Sequence, residues 1–459
     1  MQKKDLERVA DDLWEVPKAF RSDMRVPARV LASETILDAI LRDRSVDQLV
    51  NVATLPGIRK YAIAMPDMHE GYGFPIGGVA ALDPDDGVIS PGGIGYDINC
   101  GVRLLRSRKT IDGIRPGLEK LAHAIAREVP SGVGRGGSVR LRGGELERVL
   151  RDGARRAVEM GFGNERDLQH IESGGRLDGA DPALVSENAR ERGHDQLGTI
   201  GSGNHFVEID RVDAVYDEQN ARRLGIERDG VVVQIHTGSR GLGHQVATDY
   251  LRVMNKSMAR HKIAVADREL ACAPFRSPEG QQYFGAMAAA ANFAFANRQL
   301  VTAGIRRAWP GDDELELLYD VAHNVAKLET HPGIGTVVVH RKGATRAFPG
   351  QPVLIPGSMG TASYLLLGSE KAMHETFGSS CHGAGRVMSR TKARAEISVT
   401  GLRERLRRLG IIIEAGSSKG LVEEAPETYK DIDAVIDVVH GAGIATKVAR
   451  FTPVAVIKG

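Results

Sequence analysis

Short runs of β-branched residues predict strands at four places in the chain. They occur at 231–236 (VVVQIH), 336–342 (TVVVHRK), 411–415 (IIIEA) and 454–457 (VAVI). Val and Ile pack well on the pleated surface of a sheet, which is why such runs favour strands. Residues 61–106 alternate short apolar runs with Gly and Pro, a pattern typical of short strands joined by loops.

Apolar positions at helical spacing predict helices in other parts of the chain. These parts are 115–129, 144–162, 280–308 and 313–331, and residues 1–50 also have a helical pattern. Strands and helices alternate without a regular β-α-β rhythm. The pattern therefore favours the α+β class, with residues 1–459 forming one large domain of strands and helices.

Composition and charge exclude several classes of protein. Lys and Arg number 61 against 59 Asp and Glu, so the net charge of +2 excludes a uniformly basic nucleic-acid coat. Three cysteines in 459 residues cannot build a disulfide scaffold, and their scarcity fits a reducing cytosol. The N-terminus has no apolar signal core, and the longest apolar stretch, 284–297, is too short to span a bilayer. We therefore expect a cytoplasmic protein.

Five residues with metal-ligating side chains stand beside glycine-rich turns or at the ends of predicted strands. Asp97 and Cys100 follow the turn PGGIGY, His205 precedes a strand-like run, and His236 ends the strand VVVQIH. His323, in DVAHNVAK, is predicted on a helix. Each alone is more commonly a structural residue. Together they favour a two-metal site that shares one thiolate, although a thiolate by itself suits Zn²⁺ better than Mn²⁺.

Two further segments suggest phosphate chemistry. In GSSCHGAGRVMSR (378–390), His382 stands among small residues just ahead of Arg386 and Arg390, so a bulky partner could reach its imidazole. A neutral imidazole is a competent nucleophile toward phosphorus. The turn after His236, GSRG, could form an anion-binding nest with Arg240. The Gly-rich segment 131–144 is either a flexible surface loop or a mobile loop that attracts phosphate.

These segments, in this order, resemble the RtcB-type RNA-splicing ligases. The resemblance runs from about residue 55 to the C-terminus, with residues 1–50 weakly covered. It is carried by PGGIGYDINCGVRLL, GSGNHFVEI, QIHTGSRGLGHQV, DVAHN, HRKGATRAF, PGSMGTASY, CHGAGR and the C-terminal Lys-Gly.

The resemblance implies a GTP- and Mn²⁺-dependent enzyme of tRNA splicing or RNA repair. Such ligases join RNA 3′-phosphate or 2′,3′-cyclic phosphate ends to 5′-hydroxyl ends. His382 would carry GMP, Asp97, Cys100 and His205 would hold one Mn²⁺, and Cys100, His236 and His323 would hold the second. The nucleotide or its phosphates would be contacted by Asn204, Glu208, Arg240, Ser358, Ser363, Arg386, Tyr429 and Lys458.

Two other functions remain open from the residues. A binuclear metallophosphoesterase could use the same ligands, although it would not need His382. An RNA-binding or chaperone-like protein could hold a structural metal. Because the net charge is low, RNA binding needs a localised basic cleft, for which Arg386, Arg390 and Arg394 are candidates. The natural RNA, tRNA halves or otherwise cleaved ends, and the need for an activating protein partner stay open.

Overall fold

The structure, a computed structural model, describes residues 1–132, 134, 136–137, 139–141, 144–311 and 315–459. Parts of the segment 131–144 therefore lie outside the described residues. None of the helices in the described ranges combines the length and the hydropathy that a membrane-spanning segment needs.

Two large sheets organise the chain. The first has seven strands in the order β1-β2-β3-β4-β5-β13-β12, and the second has β11-β7-β9-β8-β19-β16-β15, with β18 parallel to β19. Two small pairs, β10-β6 and β14-β17, complete the set among the described residues. The strands are β1 (Glu7–Ala10), β2 (Leu13–Val16), β3 (Ala28–Leu31), β4 (Ile58–His69), β5 (Ile76–Leu82), β6 (Val88–Ile89), β7 (Gly101–Thr110), β8 (Phe206–Val215), β9 (Gly230–Thr237), β10 (Ala273–Pro274), β11 (Glu316–Ala322), β12 (Asn324–His331), β13 (Gly335–Lys342), β14 (Ala344–Arg346), β15 (Pro352–Ile355), β16 (Ser363–Gly368), β17 (Ser379–Cys381), β18 (Ile412–Ala415) and β19 (Ala445–Lys458).

Helices are interspersed with these strands, which confirms the α+β class. They are α1 (Glu34–Ile40), α2 (Ser45–Val52), α3 (Ile111–Ile114), α4 (Leu118–Glu128), α5 (Glu145–Asp152), α6 (Ala154–Glu159), α7 (Glu165–Gln169), α8 (Glu187–Gly193), α9 (Glu218–Leu224), α10 (Arg240–Arg260), α11 (Pro278–Ala308), α12 (Glu370–Glu375), α13 (Arg390–Glu396), α14 (Val399–Arg408), α15 (Ser418–Glu423) and α16 (Ile432–Gly441).

The four predicted strands and three of the predicted helices are confirmed, but two helical predictions are wrong. Residues 1–50 contain the strands β1, β2 and β3 before α1 and the start of α2. In the predicted helix 313–331, residues 313–314 lie outside the described residues, and the rest contains β11 and β12 with His323 at the bend between them. Both faces of β11 are largely buried, so its apolar residues do not alternate, and their spacing imitates a helix.

The long helix α11 is buried on nearly all sides and supports the second sheet. Ser277 caps its first turn by accepting a hydrogen bond from the Gly280 N–H, and Pro278 occupies the first helical position. Asn297, on this helix, accepts hydrogen bonds from the backbone N–H groups of Gly198 and Thr199. It also donates to the Gly238 carbonyl. Thus α11 anchors the two loops that flank His205 and His236.

A buried ion-pair network joins α11 to the strands that carry candidate metal ligands. The Asp320 carboxylate accepts hydrogen bonds from Arg103 Nε at 2.7 Å and from Arg298 Nε at 2.9 Å. All three side chains are fully buried. The Arg298 Nη1 also donates to the carbonyls of Asn99 and Thr237, the neighbours of Cys100 and His236.

We expect Asp320→Ala to lower the free energy of unfolding by about 3–5 kcal/mol, because it leaves two buried guanidinium groups without their counter-charge. Chemical denaturation followed by circular dichroism measures this change. The matched control is Asp437→Ala, since Asp437 is 67% exposed and pairs with Lys447 at the surface. That change should cost no more than about 1 kcal/mol. Equal losses in the two variants would contradict the assignment.

Candidate active site

One edge of the second sheet brings the predicted site residues together. Neighbouring strands β7, β9 and β8 are antiparallel, so the start of β7 and the start of β8 lie beside the end of β9. In the register, His236 is opposite Val102 on one side and Phe206 on the other. Cys100 immediately precedes β7, and His205 immediately precedes β8. Residues more than 100 positions apart in sequence therefore meet at this edge.

The five candidate metal ligands form a continuous chain of contacts. His205 Nε2 lies 2.8 Å from Asp97 Oδ2 and 3.2 Å from Cys100 Sγ. His236 Nε2 lies 3.3 Å from Cys100 Sγ and 3.3 Å from His323 Nε2. Two ligands of one tetrahedral ion, each about 2.0–2.3 Å from it, lie about 3–4 Å apart. The spacing is therefore compatible with metal binding, and Cys100, His205 and His236 lie close enough together to be ligands of one ion.

The protonation of this cluster also suits a cation. Burial lowers the pKa of His236 and of His323, which favours the neutral imidazole that binds metals. Burial opposes ionisation of Asp97, but His205 and Arg240 outweigh it and hold the pKa of that carboxyl below its usual range. Burial, followed by the Asp97 charge, raises the pKa of the Cys100 thiol. A bound cation would supply the positive charge that a Cys100 thiolate lacks.

Backbone groups orient two of these side chains. His205 Nδ1 lies 3.1 Å from the Ile200 carbonyl, so a proton on Nδ1 leaves the Nε2 lone pair facing Asp97 and Cys100. Asp97 Oδ1 accepts a hydrogen bond from the Ser239 N–H at 3.1 Å. The predicted anion nest of the GSRG turn therefore already holds the Asp97 carboxylate. The Gly241 N–H of the same turn donates to the Gln196 side chain.

His382 lies next to this cluster, directly after β17. Its ring centroid is 4.9 Å from that of His323. His382 Nδ1 lies 2.5 Å from Asp67 Oδ2, and the His382 backbone N–H donates to the same oxygen at 3.1 Å. Asp67 is fully buried. Because the carboxylate accepts the Nδ1 proton, the lone pair of the imidazole lies on Nε2.

Asp67 is a site residue that the sequence reasoning missed. It lies in β4 within the apolar run AIAMPDMH, and a lone carboxylate in such a run was the signal available. Close backbone packing holds it against the His382 loop. Gly385 has a φ of +76°, and a Cβ there would lie 2.0 Å from the Asp67 carbonyl oxygen. Only glycine fits this contact without displacing Asp67.

A cavity of about 220 Å³ opens beside His382 and His236. Five of the predicted nucleotide-contacting residues line it, namely Asn204, Ser358, Arg386, Tyr429 and Lys458. Phe206 and Glu424, which were not predicted, also line it. Arg386 Nη1 donates to Glu424 at 3.1 Å and lies 3.3 Å from the Tyr429 hydroxyl. The lining of the cavity thus combines aromatic side chains with charged side chains.

Three predicted nucleotide-contacting residues, Ser363, Glu208 and Arg240, lie outside the lining of this cavity. Ser363 accepts a hydrogen bond from the Gly357 N–H at 3.0 Å, which closes the small-residue loop 356–364. Glu208 follows Phe206 on the same face of β8, and neither of its carboxylate oxygens has a partner among the described residues. Burial and the nearby Asp210 raise the pKa of Glu208, whereas Lys458 opposes that shift.

Arg240, also predicted to contact phosphate, lies at the other side of the metal-ligand cluster. Its Nη1 is 3.2 Å from His205 Nδ1, and Gly201 passes so close that a Cβ there would lie 1.9 Å from Arg240 Nη2. A second cavity of about 400 Å³ is lined by Arg240, Asn204 and Asp97. Arg192 and Gln196, which were not predicted, line it as well. Asn204 therefore faces both cavities.

Comparison with known proteins shows the family to which the chain belongs. The sequence profile described as "tRNA-splicing ligase RtcB" matches residues 48–459. The chain belongs to the RtcB ligase family. The "tRNA-splicing ligase RtcB" of Thermococcus kodakarensis is 54% identical over 477 aligned positions, which cover 99% of both chains. The protein of the same name from Archaeoglobus fulgidus is 51% identical, again over 99% of both.

A bacterial relative gives a similar result. The "RNA-splicing ligase RtcB" of Mycobacterium tuberculosis is 51% identical over 433 positions, which cover 90% of this chain and 100% of that protein. This RtcB-family chain is therefore an RNA ligase. The predicted family membership and the enzymatic class are confirmed. The buried group Cys100, His205 and His236 could hold a metal ion in it.

Proposed function

We propose that this ligase joins RNA ends carrying a 3′-phosphate or 2′,3′-cyclic phosphate to ends carrying a 5′-hydroxyl, using GTP and two Mn²⁺ ions. The RNA would be tRNA halves or other cleaved RNA. The observation that carries the proposal is the pair of His382 and Asp67 beside the metal-ligand cluster. Asp67 Oδ2 lies 2.5 Å from His382 Nδ1 and accepts its proton, so the lone pair of Nε2 is available to act as a nucleophile.

One Mn²⁺ would be held by Asp97, Cys100 and His205, and the other by Cys100, His236 and His323. When bound, the ions would stabilise the negative charge that develops on phosphate oxygens. The contact chain of 2.8–3.3 Å through Cys100 supports a shared ligand. The donor set alone also suits Zn²⁺, so the choice of Mn²⁺ rests on the family.

His382 would carry the guanylyl group in three balanced steps. First, Nε2 attacks the α-phosphorus of GTP, a P–N bond forms, and the P–O bond to pyrophosphate breaks. Second, an oxygen of the RNA 3′-phosphate attacks the same phosphorus, and the electron pair of the P–N bond returns to Nε2. Third, the 5′-hydroxyl attacks the RNA phosphorus, GMP leaves, and the hydroxyl proton passes to solvent. A cyclic phosphate would first be opened by water.

The two cavities would divide the substrates between them. Ser358, Arg386, Tyr429 and Lys458, which line the cavity at His382, would contact the nucleotide, together with Glu208 and Ser363 behind its lining. Asn204 and Arg240, which line the second cavity, would contact phosphate. A metallophosphoesterase using the same ligands would have no use for His382 or for the carboxylate that orients it, which favours the ligase.

A joining assay with the purified chain tests the proposal. The substrates are an RNA with a 3′-phosphate and a second RNA with a 5′-hydroxyl, incubated with GTP and Mn²⁺. We expect a joined product that resists phosphatase and depends on both GTP and Mn²⁺. Release of inorganic phosphate without joining would instead support the phosphoesterase. Joining that appears only after addition of cell extract would indicate an activating protein partner.

We expect Asp67→Asn to slow transfer of GMP to the protein by about 10²–10⁴, because an amide can donate to Nδ1 and so favour the wrong tautomer. Metal content should not change, since the Asp67 carboxylate hydrogen-bonds to His382 and not to any of the five candidate metal ligands. The control is Asp38→Asn, whose carboxylate is 58% exposed on α1. Wild-type guanylylation in Asp67→Asn would exclude a positioning role.

We expect ATP to replace GTP poorly. When Glu208 is ionised, its two unpartnered oxygens could accept hydrogen bonds from N1–H and the 2-amino group of guanine, and adenine offers neither donor at those positions. Two unmatched groups at about 1–3 kcal/mol each make ATP at least about 30-fold poorer. Adduct formation with α-labelled GTP and ATP measures the ratio. Equal labelling by the two nucleotides, or an unchanged ratio in Glu208→Ala, would contradict this role.

A further inference from the structure

A basic groove lies at the edge of the second sheet opposite the metal-ligand cluster, where β7 ends and β9 begins. Its volume is about 660 Å³, and its walls are the far end of β7, the start of β9 and the end of α9. Val102 is opposite His236, and the groove residues Arg106 and Thr110 lie four and eight positions farther along β7. At about 3.3 Å per residue, the groove begins roughly 13 Å and ends roughly 25 Å from the metal-ligand cluster.

The lining of this groove is strongly cationic. Among the described residues it carries seven Arg or Lys side chains and two Glu side chains, a difference of five positive charges. The whole chain has a net charge of only +2. The groove therefore concentrates positive charge that the rest of the chain balances with acidic residues.

Most of this charge faces solvent. Arg106 is committed to structure, because it donates to Glu316 and to the Leu224 carbonyl. By contrast, the Arg108 side chain is 82% exposed although it lies 3.3 Å from Glu316, and the Arg222 side chain is 77% exposed with Glu218 3.9 Å away. Arg223 and Arg228 are exposed as well. The ion pairs of Arg108 and Arg222 lie at the surface, so these guanidinium groups keep most of their area open to a ligand.

The arginines beside the His382 cavity are less exposed and are paired with buried or partly buried glutamates. Arg386 and Arg390 contact Glu424 at 3.1 and 3.2 Å, and Arg394 contacts Glu423 at 2.7 Å. Their charge is largely compensated within the protein. The predicted basic cleft at Arg386, Arg390 and Arg394 is thus the less cationic of the two regions.

We propose that the groove at the far edge binds the phosphodiester backbone of the substrate RNA, away from the ends that are joined. Exposed guanidinium groups bind phosphates by releasing condensed counterions, without reading sequence. At about 3.4 Å per nucleotide step, 13 to 25 Å corresponds to roughly four to seven steps. Only an RNA that extends at least about four steps from the junction can reach the groove.

The test compares two lengths of RNA with one pair of substitutions. Arg222→Glu with Arg228→Glu reverses two exposed charges of the groove. The long substrate has a duplex stem of about twenty base pairs next to the junction, and the short one has about three nucleotides on each side. For the long RNA, we expect the dissociation constant to rise at least about 10-fold at low salt. The plot of the logarithm of the association constant against the logarithm of salt concentration has a negative slope, and its magnitude should fall by about 2.

For the short RNA, we expect binding and joining within about twofold of the unsubstituted chain, since that RNA ends before the groove. Labelling by α-labelled GTP should also be unchanged, which shows that the variant is folded and that the His382 chemistry is intact. The control variant, Arg252→Glu with Lys256→Glu, carries the same charge change on exposed residues of α10 that do not line the groove. It should bind both RNAs normally.

Three outcomes would overturn the proposal. Unchanged binding of the long RNA would leave the groove to another ligand, such as an acidic protein. Equal weakening for the long and the short RNA, or equal weakening by the control variant, would show a general effect of net charge. If the unsubstituted chain is not labelled by α-labelled GTP, the proposed function is refuted instead. Failure of the proposed groove and failure of the proposed function are therefore distinguishable.

Discussion

His382→Ala is expected to abolish transfer of GMP to the protein and the joining of 3′-phosphate ends, each by about 10⁴–10⁶. No other side chain in the loop 378–390 offers a neutral nitrogen nucleophile at neutral pH, since the remaining candidates are Ser379, Ser380 and the buried Cys381. Burial raises the pKa of the Cys381 thiol, so it is a poor substitute. Labelling with α-labelled GTP and a gel assay of joining measure the two losses.

The same variant has a rescue that separates the carrier role from a structural one. The five candidate metal ligands remain in place, so metal content should equal that of the unsubstituted chain. An RNA supplied with a 3′-diphosphoguanosine end bypasses the step that needs His382, and the variant should seal it. Failure to seal this RNA in a folded, metal-loaded variant would show that His382 does more than carry GMP.

Cys100→Ala is expected to remove both metal ions and to reduce joining below detection. Cys100 is the only one of the five candidate ligands that contacts both His205 and His236, at 3.2 and 3.3 Å. Without its thiolate, neither ion keeps a full set of ligands. Metal analysis of the purified variant, with circular dichroism to confirm folding, measures the change.

The control for this variant is His205→Ala. His205 contacts Asp97 and Cys100, and it belongs to one of the two proposed ligand sets only. The His205→Ala variant should therefore bind mainly one of the two ions less tightly and retain about half of the metal. If Cys100→Ala still holds two tightly bound ions, Cys100 does not bridge them.

The residues of the site could be predicted from the sequence because strand ends and glycine-rich turns are local signals. VVVQIH predicted a strand that ends at His236, and β9 ends one residue later. The predicted ligands Asp97, Cys100 and His205 lie in turns just before β7 and β8. Antiparallel pairing then brings these positions together, and the order of motifs identified the family that has this topology.

Long-range contacts explain what could not be predicted. His323 was predicted on a helix because burial of both faces of β11 hides the strand alternation. Asp67 was missed because its partner, His382, is 315 residues away. The groove arginines come from β7, α7, α9 and the loop before β9, so no single segment shows the charge that they form together.

The most direct test of the central claim is the chemical identity of the protein-bound nucleotide. The chain is incubated with α-labelled GTP and Mn²⁺, digested, and the labelled peptide is sequenced by mass spectrometry. We predict one GMP on His382, linked by a phosphoramidate that is lost in acid and stable in base. A label on Ser379, Ser380 or Cys381, or the absence of any covalent label while RNA ends are still joined, would contradict the proposed mechanism.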